Sequence, residues 1–135
     1  MEINITSFVT NEDPFDFSAS VAERGNNVGH DTWNKAVSQG KNAPLLTTPE
    51  QLDALRNYVK EFGAWDDKEI ASWSDAECNA LFIQLISHDM REAGMDEVDL
   101  DEFNWEEYEH EAGKGTVSSR IYHGDDNQIY YYLGV

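Results

Sequence analysis

Residues 74–94 constrain the fold most, because they carry a complete helix signature with a start, a buried stripe and a stop. Ser74 and Glu77 have the spacing of a capping box, in which each side chain bonds the backbone N–H of the other residue. Gly94 can adopt the left-handed conformation that ends a helix. The buried face is expected to hold Cys78, Leu81, Phe82, Leu85, Ile86, Met90 and Ala93, and the opposite face mostly Asn79, Gln84, His88, Asp89, Arg91 and Glu92. The pattern predicts a central helix over about 75–93.

Two further helix starts precede this stretch. Thr48 stands before Pro49 and three residues before Gln51, which is a capping-box spacing with proline at the first helical position. Apolar residues then repeat at helical spacing until Gly63. Asp66-Asp67 is typical of the start of a short helix. These signals predict helices on both sides of residue 64.

The first third of the chain carries weaker signals. Glu2–Val9 alternates between apolar and polar residues, which predicts a half-buried strand. Ser18–Arg24 fits one or two helical turns, and Gly25–Gly29 is a turn by composition. A short helix is expected over Thr32–Gln39, and Gly40 is expected to end it.

The C-terminal end predicts a β-hairpin. Two runs rich in β-formers, Thr116–Tyr122 and Gln128–Leu133, are separated by the turn-forming residues His123–Asn127. Together with the N-terminal strand they can form a small antiparallel sheet packed on the helices. We therefore expect a single α+β domain over the 135 residues, with the central helix at about 75–93.

The net charge excludes several functional classes. The chain has 27 acidic and 9 basic residues, a formal net charge of −18. Such a surface repels nucleic acid and anionic membranes, so direct binding to either is not expected. The single Cys78 cannot form an internal disulfide, which fits a reducing compartment. Met1–Asn4 lacks the basic start of a signal peptide. No apolar run approaches the roughly 20 residues that span a bilayer. A cytoplasmic protein is expected.

The negative charge is concentrated after Gly94. The segment Met95–Glu111 contains nine acidic residues and no lysine or arginine. Its interleaved apolar residues are Val98, Leu100, Phe103, Trp105 and Tyr108. We expect a loop to about Asn104 and a short helix over Trp105–Ala112. Two interpretations stay open: a solvated segment pinned to the core by its apolar residues, or an ordered anionic surface offered to a partner.

No catalytic, metal or cofactor motif stands out. Asp96 and Asp99 could each begin a calcium loop, but neither register has the glycine that an EF-hand needs at its sixth position. Glu107 and His110 have the Glu-x-x-His spacing of a di-iron bundle, but such a bundle requires two such pairs and two further glutamates, and only one pair exists. Cys78 is expected in the core rather than as a nucleophile. The sequence therefore predicts no enzyme, no metal and no cofactor.

Several short stretches resemble a group of small accessory proteins of phages and plasmids. These stretches are Phe62–Trp65, Ile70–Ser74, Ala80–Gln84, Trp105–Tyr108 and Gly115–Ser119. The resemblance covers roughly the C-terminal two thirds of the chain and includes no catalytic motif. It implies a mobile-element setting, in which small acidic cytoplasmic proteins often inhibit host defence as anti-CRISPR or anti-restriction factors.

The functional hypothesis combines this resemblance with the charge. We expect a non-enzymatic inhibitor that mimics DNA and covers the basic surface of a nucleic-acid-binding host complex. The candidate partner-binding residues are Asp96, Glu97, Asp99, Asp101, Glu102, Glu106, Glu107 and Glu109. The alternative is a structural or assembly module that binds through exposed aromatics, with Trp33, Trp65, Trp73 and the C-terminal tyrosines as its surface. A small hydrolase or metal protein is the third class, and the oligomeric state stays open.

Overall fold

The computed structural model describes residues 1–11, 13–17, 27–115 and 120–134. Within these ranges the fold is α+β, as predicted, with six α-helices and one three-stranded antiparallel sheet. The helices are α1 (Thr6–Asn11), α2 (Asn27–Asn42), α3 (Pro49–Val59), α4 (Asp67–Ala71), α5 (Asp75–Glu92) and α6 (Trp105–Gly113). The strands are β1 (Glu2–Asn4), β2 (Ile121–His123) and β3 (Ile129–Tyr132). Short 3₁₀ helices cover Pro14–Phe17 and Lys60–Phe62.

The central helix is confirmed as α5. Ser74 Oγ accepts from the backbone N–H of Glu77 at 3.2 Å, and Glu77 Oε1 accepts from the N–H of Ser74 at 3.2 Å. Both bonds of the capping box are therefore present. Gly94 has φ +78°, the left-handed conformation expected just beyond the helix end.

Helix α5 is buried on every side over ten consecutive residues, Cys78–Ser87. Asn79 and Gln84 were expected on the solvent face, but they are only 1% and 2% exposed, so that prediction is wrong. The two-faced pattern fails because α2, α3, β2 and the 3₁₀ helix at Pro14–Phe17 all pack against α5. Because neighbouring elements cover Cys78–Ser87 from several directions, no solvent face exists there for polar residues to indicate.

Both polar atoms of the buried Asn79 side chain have hydrogen-bond partners. Its Oδ1 accepts from the backbone N–H of Leu45 at 2.9 Å and of Leu46 at 2.8 Å. Its Nδ2 donates to the carbonyls of Leu46 and Asp75 at 3.1 and 2.9 Å. The amide thus acts as a backbone substitute that joins the connector after α2 to the start of α5, which is the usual condition for burying a polar group.

Gly40 lies inside α2 and does not end it. A Cβ at this position would lie 2.8 Å from the carbonyl oxygen of Ala76 and 2.8 Å from the Cβ of Asn79. The glycine therefore allows α2 to approach the first turn of α5 closely. Residues 27–29, expected in a turn, also belong to α2, while Ser18–Arg24 lies outside the described residues.

The expected N-terminal strand is also shorter than predicted. Only Glu2–Asn4 is extended, and α1 begins at Thr6. Asn4 Oδ1 accepts from the backbone N–H of Thr6 at 3.0 Å, which satisfies one of the N–H groups that have no partner within the helix. Ile5, Phe8 and Val9 are buried at helical spacing, so the same apolar residues satisfy a helix where alternation suggested a strand.

The sheet joins the two ends of the chain. Its strand order is β1-β3-β2, and Tyr131 in the middle strand pairs with Ile3 on one side and Ile121 on the other. Ile129, Tyr131 and Leu133 are buried, as their alternation predicted. The hairpin is confirmed, although β2 begins at Ile121 and residues 116–119 lie outside the described ranges.

The remaining helix starts agree with the sequence. Thr48 and Gln51 form the predicted capping box of α3, and Asp66 Oδ1 accepts from the N–H of Glu69 at 2.8 Å at the start of α4. Helix α6 begins at Trp105 and runs one residue beyond the expected end at Ala112. Local capping chemistry therefore located these helices correctly.

Replacing Gly40 with alanine should lower the free energy of unfolding by about 1–3 kcal/mol, because the new Cβ forces α2 and α5 apart. Urea denaturation followed by circular dichroism measures the change. The matched control is Gly113→Ala, which also replaces a helical glycine but meets nothing within 4 Å. It should be neutral or stabilise by about 0.4–1 kcal/mol. Equal effects of the two substitutions would contradict the close approach at Gly40.

Candidate partner-binding surface

The acidic segment, Met95–Glu111, leaves the end of α5 as a series of hydrogen-bonded turns. The N–H of Met95 donates to the carbonyl of Met90 at 3.0 Å, which ties the segment to α5. The N–H of Glu102 donates to Asp99 at 2.9 Å, and that of Phe103 donates to Leu100 at 3.3 Å. The predicted loop is therefore locally structured before it enters α6.

The apolar residues of the segment anchor it to the rest of the fold. Met95 is fully buried, and Tyr108 is 6% exposed and donates its hydroxyl to the carbonyl of Ile121 in β2 at 2.9 Å. The Trp105 ring lies 5.3 Å from the ring of His123, also in β2. Both ends of the segment are thus attached to the protein, one to α5 and one to the sheet.

Aromatic rings form a compact cluster within the segment. Phe103 lies 5.0 Å from Trp105 and 5.8 Å from Tyr108, and Trp105 lies 5.9 Å from Tyr108, all in edge-to-face arrangements. Such pairs stabilise beyond the area that they bury. Val98 would be a further anchor if every apolar residue of the segment attached it to the core, but this residue is 47% exposed.

The eight candidate carboxylates all lie on the outside of this segment. Asp96, Glu97, Asp99, Asp101, Glu102, Glu106, Glu107 and Glu109 are all exposed. Within the described ranges, none of them lies within ion-pair distance of a lysine, arginine or histidine nitrogen. The segment has no lysine or arginine of its own, so its nine acids amount to half of the formal net charge of −18.

The start of α6 explains how the fold accommodates part of this charge. Asn104 Oδ1 accepts from the backbone N–H of Glu107 at 3.0 Å, which caps the helix. Glu106 and Glu107 occupy the first turn, where the partial positive charge of the helix N-terminus favours carboxylates. These two acids are therefore stabilised by backbone dipoles without a basic side chain.

Two clefts open on this surface. One, of about 220 Å³, lies between the end of α5 and α6 and is lined by Ala93, Phe103, Asn104, Glu107, Tyr108 and Glu111. The other, of about 390 Å³, lies between the loop part of the segment and the N-terminal region, and its lining includes Val9, Pro14, Phe15, Val98, Asp99 and Glu102. Both combine apolar walls with carboxylates. Sequence reasoning did not find them, because the larger cleft joins residues 9–15 to residues 95–102 and the smaller one depends on how α6 packs beside the end of α5.

A polar cluster lies behind the segment, between α5, α3 and the sheet. Tyr131 donates its hydroxyl to Asp89 Oδ2 at 2.7 Å, and burial raises the pKa of the Asp89 carboxyl. The Tyr58 ring lies 4.0 Å from the guanidinium of Arg120, which donates to the carbonyl of Gly134 at 2.8 Å. The residues are far apart in sequence, which explains why no sequence motif revealed them.

Cys78 and a cluster on α5 carry side chains of the types used in catalysis and metal binding. Cys78 is fully buried, and burial raises the pKa of its thiol, which favours the unreactive protonated form. His88, Asp89 and Glu92 bring one possible ligand atom each within 4.8 Å of one another, and this is the only such group among the residues described. His88 and Glu92 are exposed and Asp89 is half-buried, and exposed acidic groups are common without an ion.

Comparison with known proteins gives no match. No family model matches the chain, and no curated protein or solved structure matches it significantly. The resemblance to phage and plasmid accessory proteins therefore stays a prediction. No helix in the described part of the chain is both long and apolar enough to cross a membrane.

The half-buried Asp89 predicts a measurable pH dependence. Its pKa in the folded state is above the ordinary value of 3.8, so the folded protein binds more protons than the unfolded chain between these two values. The contribution of Asp89 to stability therefore falls as the pH rises through this window. Asp89→Asn should reduce that slope in urea titrations at several pH values. Asp31→Asn, which removes an exposed charge, should leave it close to that of the unsubstituted protein. Parallel slopes for both variants would contradict the assignment to Asp89.

Proposed function

We propose that this chain is a non-enzymatic inhibitor that covers the basic surface of a nucleic-acid-binding complex. The observation that carries the proposal is that the acidic segment combines buried anchor residues with exposed carboxylates. Its anchors, such as Met95 and Tyr108, are buried, while all eight candidate carboxylates are exposed and form no ion pair within the described ranges. The charge is therefore displayed on a segment attached to the fold.

The physical basis is substitution of carboxylates for phosphates. Duplex DNA presents one negative charge per roughly 1.7 Å of helix axis, and proteins bind it with lysine and arginine. Carboxylates attached to a packed scaffold can contact the same cationic side chains with little loss of conformational entropy on binding. Opposite charge also accelerates association, by roughly 10- to 1000-fold at low ionic strength. Inhibition by competition requires no turnover and no cofactor.

The setting that we propose is a mobile genetic element acting against host defence in the cytoplasm. CRISPR effectors and restriction enzymes expose extended basic channels for nucleic acid, which an anionic protein can occupy. The resemblance of this chain to phage and plasmid accessory proteins supports this class of partner. The proposal thus combines anti-CRISPR or anti-restriction activity with DNA mimicry, without direct contact to nucleic acid.

The aromatic alternative has less structural support. Trp33 and Trp73 are 7% and 4% exposed, so neither can serve as a docking side chain without local unfolding. Trp65 is half-buried, and its ring lies 5.2 Å from that of Trp73. The large exposed aromatics among the described residues are Phe62 and Tyr132, which are 40% and 44% exposed. Two of the three tryptophans proposed for that surface thus belong to the core.

Neutralising four acids of the segment should abolish inhibition without unfolding the protein. The variant Asp96→Asn, Glu97→Gln, Asp101→Asn, Glu102→Gln removes four exposed charges. Its melting temperature should stay the same or rise, because self-repulsion decreases. The measurement is fluorescence anisotropy of target DNA bound to purified host CRISPR effectors and restriction enzymes, with the chain as competitor at low and high salt. The variant should need at least about tenfold more protein for half-inhibition.

The matched control removes the same charge elsewhere. Asp31→Asn, Glu61→Gln, Asp67→Asn, Asp125→Asn changes four exposed acids outside the segment. This variant should inhibit almost as well as the unsubstituted protein. Equal loss in the two variants would mean that only net charge matters, and undiminished inhibition by the first variant would place the contact surface elsewhere. Failure of the unsubstituted protein to displace DNA from any such complex would contradict the proposed function.

A further inference from the structure

We propose that the cleft between α5 and α6 binds an arginine side chain of the partner. This inference deepens the proposed function, on which it rests for the partner, but the cleft itself can be tested without one. The cleft holds about 220 Å³ and is lined by Ala93, Phe103, Asn104, Glu107, Tyr108 and Glu111. It therefore joins two aromatic rings, two carboxylates and a side-chain amide in one concave site.

The carboxylates provide the charge for a single cation. Glu107 and Glu111 are four residues apart on α6, so both project on the same side of the helix and repel each other. Glu107 accepts from Asn104 Nδ2 at 3.3 Å, and Lys114 Nζ lies 3.9 Å from Glu111 Oε1. The second distance is at the limit for an ion pair on an exposed surface, where such pairs contribute little. A cation in the cleft would therefore be attracted by two carboxylates that repel each other.

The aromatic walls favour a guanidinium over an ammonium. Phe103 is partly buried against the core, and Tyr108 is held in place by its hydrogen bond to Ile121. Their rings are 5.8 Å apart at 61° to each other, so the cleft offers ring surface in fixed positions. A planar guanidinium can stack on a ring and bond two carboxylate oxygens together, whereas an ammonium is a compact, strongly hydrated charge. Arginine is also a main phosphate-binding residue of nucleic-acid-binding surfaces.

The test uses blocked arginine, Nα-acetyl-arginine methylamide, as the probe. Titration into isotope-labelled protein should shift the amide signals of Phe103, Glu107 and Tyr108 and saturate at millimolar concentration. The same titration with the blocked citrulline and lysine amides compares an uncharged isostere and an ammonium. We expect binding at least about tenfold weaker for citrulline, because it lacks the charge that the carboxylates recognise, and measurably weaker for lysine. Equal affinity for citrulline, or tighter binding of lysine, would overturn the proposal.

Paired variants locate the site. Glu107→Gln with Glu111→Gln should weaken arginine binding by about tenfold, since both carboxylates of the cleft are lost. Glu106→Gln with Glu109→Gln removes the same charge from the same helix outside the cleft lining and should weaken it by less than about twofold. Lys114→Gln should tighten binding, because it removes the cation beside Glu111. Equal weakening by the two pairs would mean that the overall negative charge of α6, and not a defined site, attracts arginine. That result would overturn the proposal.

The arginine site and the proposed function can be contradicted separately. If the cleft fails these titrations while the acidic segment still displaces DNA from its partner, the arginine site is wrong and the proposed function stands. If arginine binds as expected but neutralising Asp96, Glu97, Asp101 and Glu102 leaves DNA displacement unchanged, the inhibition does not depend on those four loop carboxylates. Glu107→Gln with Glu111→Gln then decides whether displacement depends on the cleft, and unchanged displacement by that pair would overturn its proposed role in binding the partner.

Discussion

The burial of α5 on every side is the constraint on which the rest of the structure depends. Ten consecutive residues, Cys78–Ser87, have no solvent face. Four elements therefore pack against this one helix: α2, α3, the sheet and the 3₁₀ helix at Pro14–Phe17. Close approach at Gly40 and the hydrogen-bonded amide of Asn79 satisfy this geometry at the start of the helix. Hydrophobic burial around one helix is the dominant stabilising contribution that can offset the self-repulsion of a chain with net charge −18.

The same constraint positions the acidic surface. The acidic segment follows α5 directly, and Met95 extends the buried core one step beyond the end of the helix. Tyr108 then attaches the segment to β2 through its hydroxyl, and Trp105 attaches it through the ring contact with His123. With most of the apolar residues used as anchors on the inside, the carboxylates are left outside, where water solvates them and the α6 dipole favours Glu106 and Glu107. The interleaving of acidic and apolar residues thus gives the segment both its negative charge and its attachment to the core. The two clefts form where the segment meets neighbouring elements.

Local signals in the sequence predicted much of this fold, and long-range packing accounts for what they missed. The capping boxes at Ser74 and Thr48 are complete within four residues, so they could be read without tertiary information. Gly40 and Asn79 were misplaced because their roles depend on each other across the α2–α5 contact. At the candidate site, residue type alone predicted that the acids would be exposed. The clefts and the Asp89–Tyr131 hydrogen bond could not be predicted, since they join residues that only the folded chain brings together.

The most direct test of the central claim is the backbone order of the acidic segment in solution. Nuclear relaxation of labelled protein gives an order parameter for each amide from Met95 to Glu111, with the amides of α5 as the internal reference. If packing holds the carboxylates in place, these values should approach about 0.85, as in the helix. Values below about 0.6 through the segment would contradict the claim, because mobile carboxylates cannot present a fixed anionic surface to a partner.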